Sequence, residues 1–293
     1  MLKASVVIPT LNGGKVFEST VASLLTQSFP EKWEVVIIDS GSRDGTVAFA
    51  EKALRENEIE HRVIRISKEE FKHGPSRNQA IRDCRGEFVA LITQDSIPCG
   101  EKWLESLIGG FTEQNVAGVF GPHLPHVDHA AIIQRDLENH FKVQATKILR
   151  TSREWRESAN DLKTRQLLHF FSNNNSALRR SVWENLPFPP ADFGEDQIWA
   201  RLALEAGYSI KYEQTAKVRH SHMYGLMDSL RRKKIEDKYF ERYFGYPTGK
   251  SEILAILFGT WKDIKFSIVK GRPLDVFYVF AKNFSLYLTC ILK

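Results

Sequence analysis

The strongest constraint on the fold of this chain is an apolar run, Phe88-Val89-Ala90-Leu91-Ile92, that passes through Thr93-Gln94 to a carboxylate, Asp95, followed by Ser96. A short continuous apolar run bounded by polar residues reads as a strand buried on both faces. Such strands belong to parallel sheets covered by helices. In open sheets of that kind, ligands gather beyond the carboxyl ends of the strands. Asp95 is therefore expected to face a ligand crevice, where a carboxylate suits a divalent cation through hard oxygen ligands. An anionic, phosphorylated ligand follows as the expectation.

The surrounding sequence repeats the same alternation. Strand patterns at 5–9, 35–38, 62–66, 88–93 and 117–121 alternate with helical patterns at 14–27, 46–54, 75–82 and 103–111. That order signals βαβ units and a mostly parallel sheet, an α/β fold. Turn chemistry fills 40–46, with Asp44 expected to cap the helix through Leu54. Beyond residue 123 the pattern loosens. A helix is expected over 129–149, a mobile polar loop over 152–163, a short strand at 175–178, and a helix over 195–206 stopped by Gly207. Basic helical sequence follows over 223–244. The domains expected are a catalytic one over 1–222 and a basic, amphipathic helical region over 223–293. The former divides into a donor-binding half (1–122) and an acceptor half (123–222).

Hydrophobic residues make up 42% of the 293, enough for one large domain with an appendage. Cys84, Cys99 and Cys290 lack metal-ligand spacing and are odd in number, which argues for a reducing compartment over a disulfide framework. The first residues lead straight into a strand, so no leader segment and a cytoplasmic location are expected. From Lys217 onward, 15 Lys/Arg stand against 7 Asp/Glu, whereas the preceding residues carry 26 against 29. A basic tail on an acidic body points to an anionic surface as partner or to a solvated helix face. No nucleic-acid-binding motif accompanies the charge, so nucleic acid is not an expected partner.

At the C-terminus, Ile253, Leu257, Trp261, Ile264 and Ile268 share one helical face, with Lys262, Lys265 and Lys270 elsewhere. The segment 276–292 is strongly apolar but holds Lys282 and Asn283. A packed helix pair, an interfacial membrane helix and a true span are all compatible with this pattern.

Several loop elements carry residues suited to one crevice. Pro9-Thr10-Leu11-Asn12-Gly13-Gly14 follows the first strand, where glycines permit close backbone approach and the next helix offers its N-terminus. It is not the Gly-x-Gly-x-x-Gly of a dinucleotide site, which removes most support for a dehydrogenase. Asp39 ends the second strand and suits a ribose hydroxyl or base N–H, or a brace for the following turn. Arg77, within 71–80, has the planar fork that suits a diphosphate. Glu195-Asp196 opens a helix, as capping residues often do, and offers a carboxylate to deprotonate an incoming hydroxyl. His220-Ser221-His222 places imidazoles after a short strand.

Taken together, these pieces resemble the inverting glycosyltransferases of family 2, which have the GT-A fold. The matching residues are Val7-Ile8-Pro9-Thr10 with Asn12, Ile38-Asp39-Ser40-Gly41-Ser42 with Asp44-Gly45-Thr46, and Gly74 with Arg77-Asn78-Gln79-Ala80. Gln94-Asp95-Ser96, and Gly194-Glu195-Asp196 followed by Arg201 and Gly207-Tyr208, complete a set that spans roughly 4–222. Within the family the chain is most similar to bacterial rhamnosyltransferases. The cues are His73-Gly74-x-x-Arg77-Asn78, Thr93-Gln94-Asp95, Ser172-Asn173-Asn174-Asn175 and His220-Ser221-His222.

The resemblance implies transfer, with inversion, of a sugar from a nucleotide-diphosphate donor to a glycan or lipid-linked glycan acceptor in bacterial surface polysaccharide synthesis. The implied sugar is a deoxyhexose such as L-rhamnose. It implies Pro9, Thr10, Asn12 and Asp39 around the nucleoside, Arg77 and Asp95 at the diphosphate, and Asp196 as general base with Glu195 in support. Asn174, Asn175 and Trp183 are the acceptor residues expected. The family's Asp-x-Asp is reduced here to Asp95 between Gln94 and Ser96, so Mg2+ or Mn2+ would rest on Asp95 with His222. A lipid-linked acceptor would bring the basic C-terminus to an anionic membrane at the inner face of the cell membrane. A UDP-hexose-using transferase of the same fold and a non-catalytic nucleotide-sugar-binding protein are the alternatives.

Overall fold

The computed structural model describes residues 2–191, 193–246 and 253–291. Leu292 and the side chains of Ile253 and Cys290, all read above, lie outside the described residues. The chain forms two compact units, one of residues 1–123 with 141–220 and one of 124–140 with 221–293.

The first unit is built on β1 (Ala4–Thr10), β2 (Trp33–Asp39), β3 (Glu60–Arg65), β4 (Phe88–Ile92), β5 (Ile97–Pro98), β6 (Val116–Phe120), β7 (His123–Leu124), β8 (Leu149–Arg150), β9 (Asn175–Arg179), β10 (Ser209–Tyr212) and β11 (Val218–Arg219). Eight of these form one sheet in the order β3-β2-β1-β4-β9-β6-β10-β8. The β1–β2, β2–β3, β1–β4 and β6–β10 pairings are parallel, as expected from the alternating pattern. β9 is inserted antiparallel between β4 and β6. β1, β4 and β6 are buried along their whole length, which is why they read as unbroken apolar runs.

Register brings the loop residues to one level. Thr10 pairs with Asp39, and Asp39 with Arg65, so three carboxyl-terminal strand ends line up. Because β9 runs the other way, its first residue, Asn175, lies opposite the last residue of β4, Ile92. The segment entering β9 and the segment leaving β4 therefore share one edge of the sheet.

Two local expectations are corrected. The helix Thr46–Glu56 is capped at Gly45, in the left-handed region at φ 86°, and not at Asp44. Asp44 instead accepts from the Thr46 N–H at 3.1 Å and the Gly14 N–H at 3.2 Å. The segment 152–163 is not a loop: it holds the helix Ser152–Glu157 and the start of Leu162–His169. Its polar residues are capping residues. Thr151 and Glu154 form a reciprocal capping box, Asp161 caps the second helix, and Trp155 anchors the first in the interior.

In the second unit, the helices Leu226–Phe244, Ile253–Val269 and Asp275–Ile291 accompany residues 124–140. Its apolar core is small, centred on Ala130, Ile132 and Val279. Among the described residues no helix is long and apolar enough to cross a membrane.

One buried acid fastens the donor side of the sheet. Glu34, fully buried on β2, accepts from the Ser5 hydroxyl at 2.8 Å, the Arg85 N–H at 2.6 Å and the Arg85 guanidinium at 3.0 Å. Ser5 accepts in turn from the Gly86 N–H at 2.9 Å. Glu34→Ala strands these donors and should cost about 1–3 kcal/mol of stability, read as a lowered urea midpoint with an unchanged m-value.

Candidate active site

A cleft of about 880 Å³ opens at the aligned ends of β1, β2 and β3, lined by Asn12, Asp39, Ser42, Arg43, Arg65 and Lys68 among others. Asp39 is almost fully buried, and its carboxylate accepts from the Gly41 and Ser42 N–H groups at 3.1 and 3.0 Å. Asn12 holds φ 46°, a left-handed conformation open to asparagine. Its N–H donates to the Ser42 hydroxyl at 2.7 Å and its side-chain oxygen accepts from the Arg43 N–H at 2.8 Å. Pro9 and Thr10 are buried behind this loop. Gly13 and Gly14 do not cradle an anion, because their N–H groups donate to Thr46 and Asp44.

Gln94 accounts for part of the reduced acidic motif. Its side-chain oxygen accepts from the Thr10 hydroxyl at 2.9 Å and the Leu11 N–H at 2.8 Å. Its backbone carbonyl accepts from Thr20 at 2.9 Å. Gln94 thus ties the loop after β1 to the turn after β4, a role not read from the sequence. In that turn the Ser96 N–H donates to the Thr93 carbonyl at 3.1 Å, which leaves the Asp95 side chain partly exposed and 3.6 Å from His220 Nε2.

The acidic pair opens the helix Glu195–Glu205, whose N-cap is Gly194 in the left-handed region at φ 67°. Glu195 is buried and accepts from Arg77 Nη1 at 2.7 Å and from the Asn173 side-chain amide at 3.0 Å. Arg77, itself 3% exposed, also lies 3.4 Å from His73 Nδ1. Burial, with Arg77 adding to it, lowers the His73 pKa and favours the neutral ring. Gly74 makes this contact possible, since a Cβ there would lie 2.3 Å from the Pro189 carbonyl oxygen.

Asp196 is half-buried and differently held. Its Oδ2 accepts from the Asn173 N–H at 3.0 Å and its Oδ1 from the Gln197 N–H at 2.8 Å. Burial first, and the adjacent Glu195 second, push its pKa up to about 7. A carboxyl poised near neutrality fits proton abstraction.

Three expected roles change. Arg77, expected at a diphosphate, buries its guanidinium against Glu195 at 2.7 Å, an arrangement that suits a positioning residue. Asn175 is fully buried: it accepts from Trp103 Nε1 at 2.9 Å and donates to the Pro122 and Ala216 carbonyls. It braces the sheet and does not meet an acceptor. Trp183 is buried and donates to the Asn78 side chain at 2.8 Å, so it too is structural. Asn174 remains half-buried in the turn before β9. Asn173, in the sequence analysis only part of the Ser172–Asn175 stretch, touches both acids.

Among the described residues, one group has the composition of a cation site. Asp95 and His220 each offer one ligand atom, 3.6 Å apart. His220 is buried directly after β11, and His222 follows it by two residues.

A nucleotide-sized cleft at the aligned strand ends, on a mostly parallel sheet with this strand order, fits the GT-A fold. The family model for glycosyl transferase family 2 matches residues 5–186, and the chain belongs to that family. It is 33% identical over 244 residues to the O-antigen chain rhamnosyltransferase WbaN of Salmonella anatum, covering 82% of this chain and 70% of the relative. It is 30% identical over 236 residues to the O-antigen chain rhamnosyltransferase RfbN of Salmonella typhimurium, covering 79% and 70%. Among solved structures it resembles the mannosyltransferase PcManGT from Pyrobaculum calidifontis in complex with GDP-Man and Mn2+. That match has a TM-score of 0.65 at 16% identity, over 99% of this chain and 87% of that one.

The two readings of Arg77 predict different defects. Arg77→Met leaves Glu195 buried and unpaired, and should cost about 3–5 kcal/mol in chemical denaturation. A diphosphate ligand would instead show unchanged stability and weaker nucleotide binding by calorimetry.

Proposed function

We propose that this glycosyltransferase moves a deoxyhexose, L-rhamnose, from a nucleotide-diphosphate donor to a hydroxyl of a glycan or lipid-linked glycan, with inversion, in bacterial surface polysaccharide synthesis. The two O-antigen chain rhamnosyltransferases at 33% and 30% identity support the sugar class. The observation that carries the mechanism is the asymmetry of the acidic pair: Glu195 is locked onto Arg77 and Asn173, while Asp196 is held by backbone N–H groups near neutrality.

In this reading residues 1–122 bind the donor, 123–222 the acceptor, and 223–293 form the basic helical region. The nucleoside lies in the cleft against Pro9, Thr10, Asn12 and Asp39. The acceptor oxygen attacks the anomeric carbon on the face opposite the diphosphate. As the new C–O bond forms, the bond from that carbon to the phosphate oxygen breaks, and the hydroxyl proton passes to Asp196. Glu195, paired with Arg77, fixes the helix start, and Asn174 lies at the acceptor side. A base so placed contributes about 10²–10⁴-fold.

The donor set of Asp95, His220 and His222 fits a divalent cation. Imidazole nitrogen in the set favours Mn2+ over Mg2+, which prefers oxygen ligands. When bound, the cation supplies positive charge to the leaving diphosphate. A lipid-linked acceptor would bring the basic helical region to the anionic inner face of the cell membrane.

Two experiments test this reading. With a panel of nucleotide sugars, Asp196→Asn should lose about 10²–10⁴-fold in turnover and keep donor affinity. Wild-type turnover should rise with pH to a plateau above about 7, as Asp196 loses its proton. The same raised pKa makes the fold bind a proton more tightly than the unfolded chain. Stability should therefore fall as pH rises from about 4 to about 7, and Asp196→Asn should flatten that slope. Retained turnover in Asp196→Asn overturns the assignment. Asp95→Asn and His220→Gln should each weaken Mn2+ binding by calorimetry, about 10-fold or more, and unchanged binding would remove the cation from this site.

A further inference from the structure

We infer that the helix pair Ile253–Val269 and Asp275–Ile291 is a wedge that inserts its aromatic face into the acyl layer of an anionic membrane leaflet. The inference deepens the membrane reading proposed above and rests on it. It starts from an inversion of polarity within the second unit. Leu257, Trp261 and Ile268 on one helix, and Phe277, Phe280 and Phe284 on the other, are each between 49% and 76% exposed. The polar residues of the same helices point inward: Asp263, Ser267, Asn283 and Ser285 are at most 9% exposed. A helix pair that buries its apolar stripe in its own core shows the reverse.

Asp263 and Asn283 are tied into a polar network, so the inversion is built into the packing there. Arg135 donates to Asp263 and to Asp136, each at 2.7 Å. Lys282 donates to Asp136 at 2.6 Å, and the Asn283 amide donates to Asp263 at 3.3 Å. Turning the phenylalanines inward would break this network and leave buried charges unpaired. The sequence reading placed Ile264 with Leu257, Trp261 and Ile268. In the structure Ile264 turns to the core while the other three face outward.

The surroundings of the apolar face select its partner. Lys262 sits over the Phe258 ring at 4.4 Å and Lys265 over the Trp261 ring at 5.3 Å. Ammonium groups beside exposed aromatic rings match the boundary between acyl chains and anionic headgroups, where long stems lie along apolar surface and charges reach the phosphates. Among the described residues neither helix is long and apolar enough to cross a bilayer, which fits insertion into one leaflet.

The test is co-sedimentation of the full chain with phosphatidylglycerol-containing and with purely zwitterionic vesicles, at low and high salt. Anionic vesicles should bind the chain, and part of that binding should survive high salt. The triple variant Phe277→Ser, Phe280→Ser, Phe284→Ser should bind at least 10-fold more weakly, with unchanged far-UV circular dichroism and nucleotide affinity. Brominated acyl chains should quench a fluorescence component that is absent from Trp261→Phe. If the wild type binds anionic vesicles but the triple variant binds equally and bromine does not quench, insertion is overturned and only charge docking remains. If the wild type binds no vesicles, the membrane reading itself fails, while donor binding still reports on the transferase. A stable dimer that the triple variant dissociates would assign the face to a second copy of the chain and overturn the wedge.

Discussion

The buried ion pair between Arg77 and Glu195 is the contact on which the rest of the active site depends. It joins positions 118 residues apart and holds the start of one helix against the first turns of another. Taking both charges out of water is costly, and Arg77 Nε is left without a partner among the described residues, while further hydrogen bonds offset part of that cost. Asn173 supplies one of these to Glu195, and a neutral His73 stands beside the guanidinium. Gly74 lets the backbones approach closely enough for the pair to form. The consequence reaches the neighbouring residue. Burial first, and the Glu195 carboxylate beside it second, push the Asp196 pKa up to about 7.

Asn173 links that pair to the sheet. Its side chain serves Glu195, its backbone N–H serves Asp196, and its side-chain oxygen accepts from Ser176 within β9. β9 runs antiparallel beside β4, so one strand insertion carries the acid-holding turn to the edge where Asp95 emerges. The cleft depends on the parallel strands beyond, whose register aligns Thr10, Asp39 and Arg65. Two strand directions in one sheet thus carry the two kinds of chemistry.

The parallel half of the fold was legible because its strands are buried on both faces and so appear as apolar runs closed by turn residues. The ends of those runs located Asp39, Asp95 and the loop through Asn12 for the same reason. Three tandem asparagines were not separable by sequence. Asn173 and Asn174 fall in a turn and Asn175 begins a strand, and that alternation alone sends Asn173 to the acids and Asn175 into the core. Arg77 misled because a guanidinium suits a buried carboxylate as well as a phosphate, and its partner lies far along the chain. The segment 152–163 looked loose because capping residues are polar whether or not a helix follows them.

The position of Gln94 explains how a single acid can serve where a pair is usual for the family. Its amide oxygen is already engaged by the Thr10 hydroxyl and the Leu11 N–H, so this position spends its polar atom on joining two loops. A carboxylate there would face the same two donors and would be drawn away from any cation. In the proposed site, charge for a cation comes from Asp95, with further ligands from outside this turn. The strand exit at His220 lies 3.6 Å from Asp95, and His222 follows two residues on. Trading a carboxylate for imidazole lowers the negative charge of the ligand set by one and softens it. In the proposed mechanism the lost charge falls to the donor diphosphate, so the cation would be held weakly by the protein alone and firmly only with the donor.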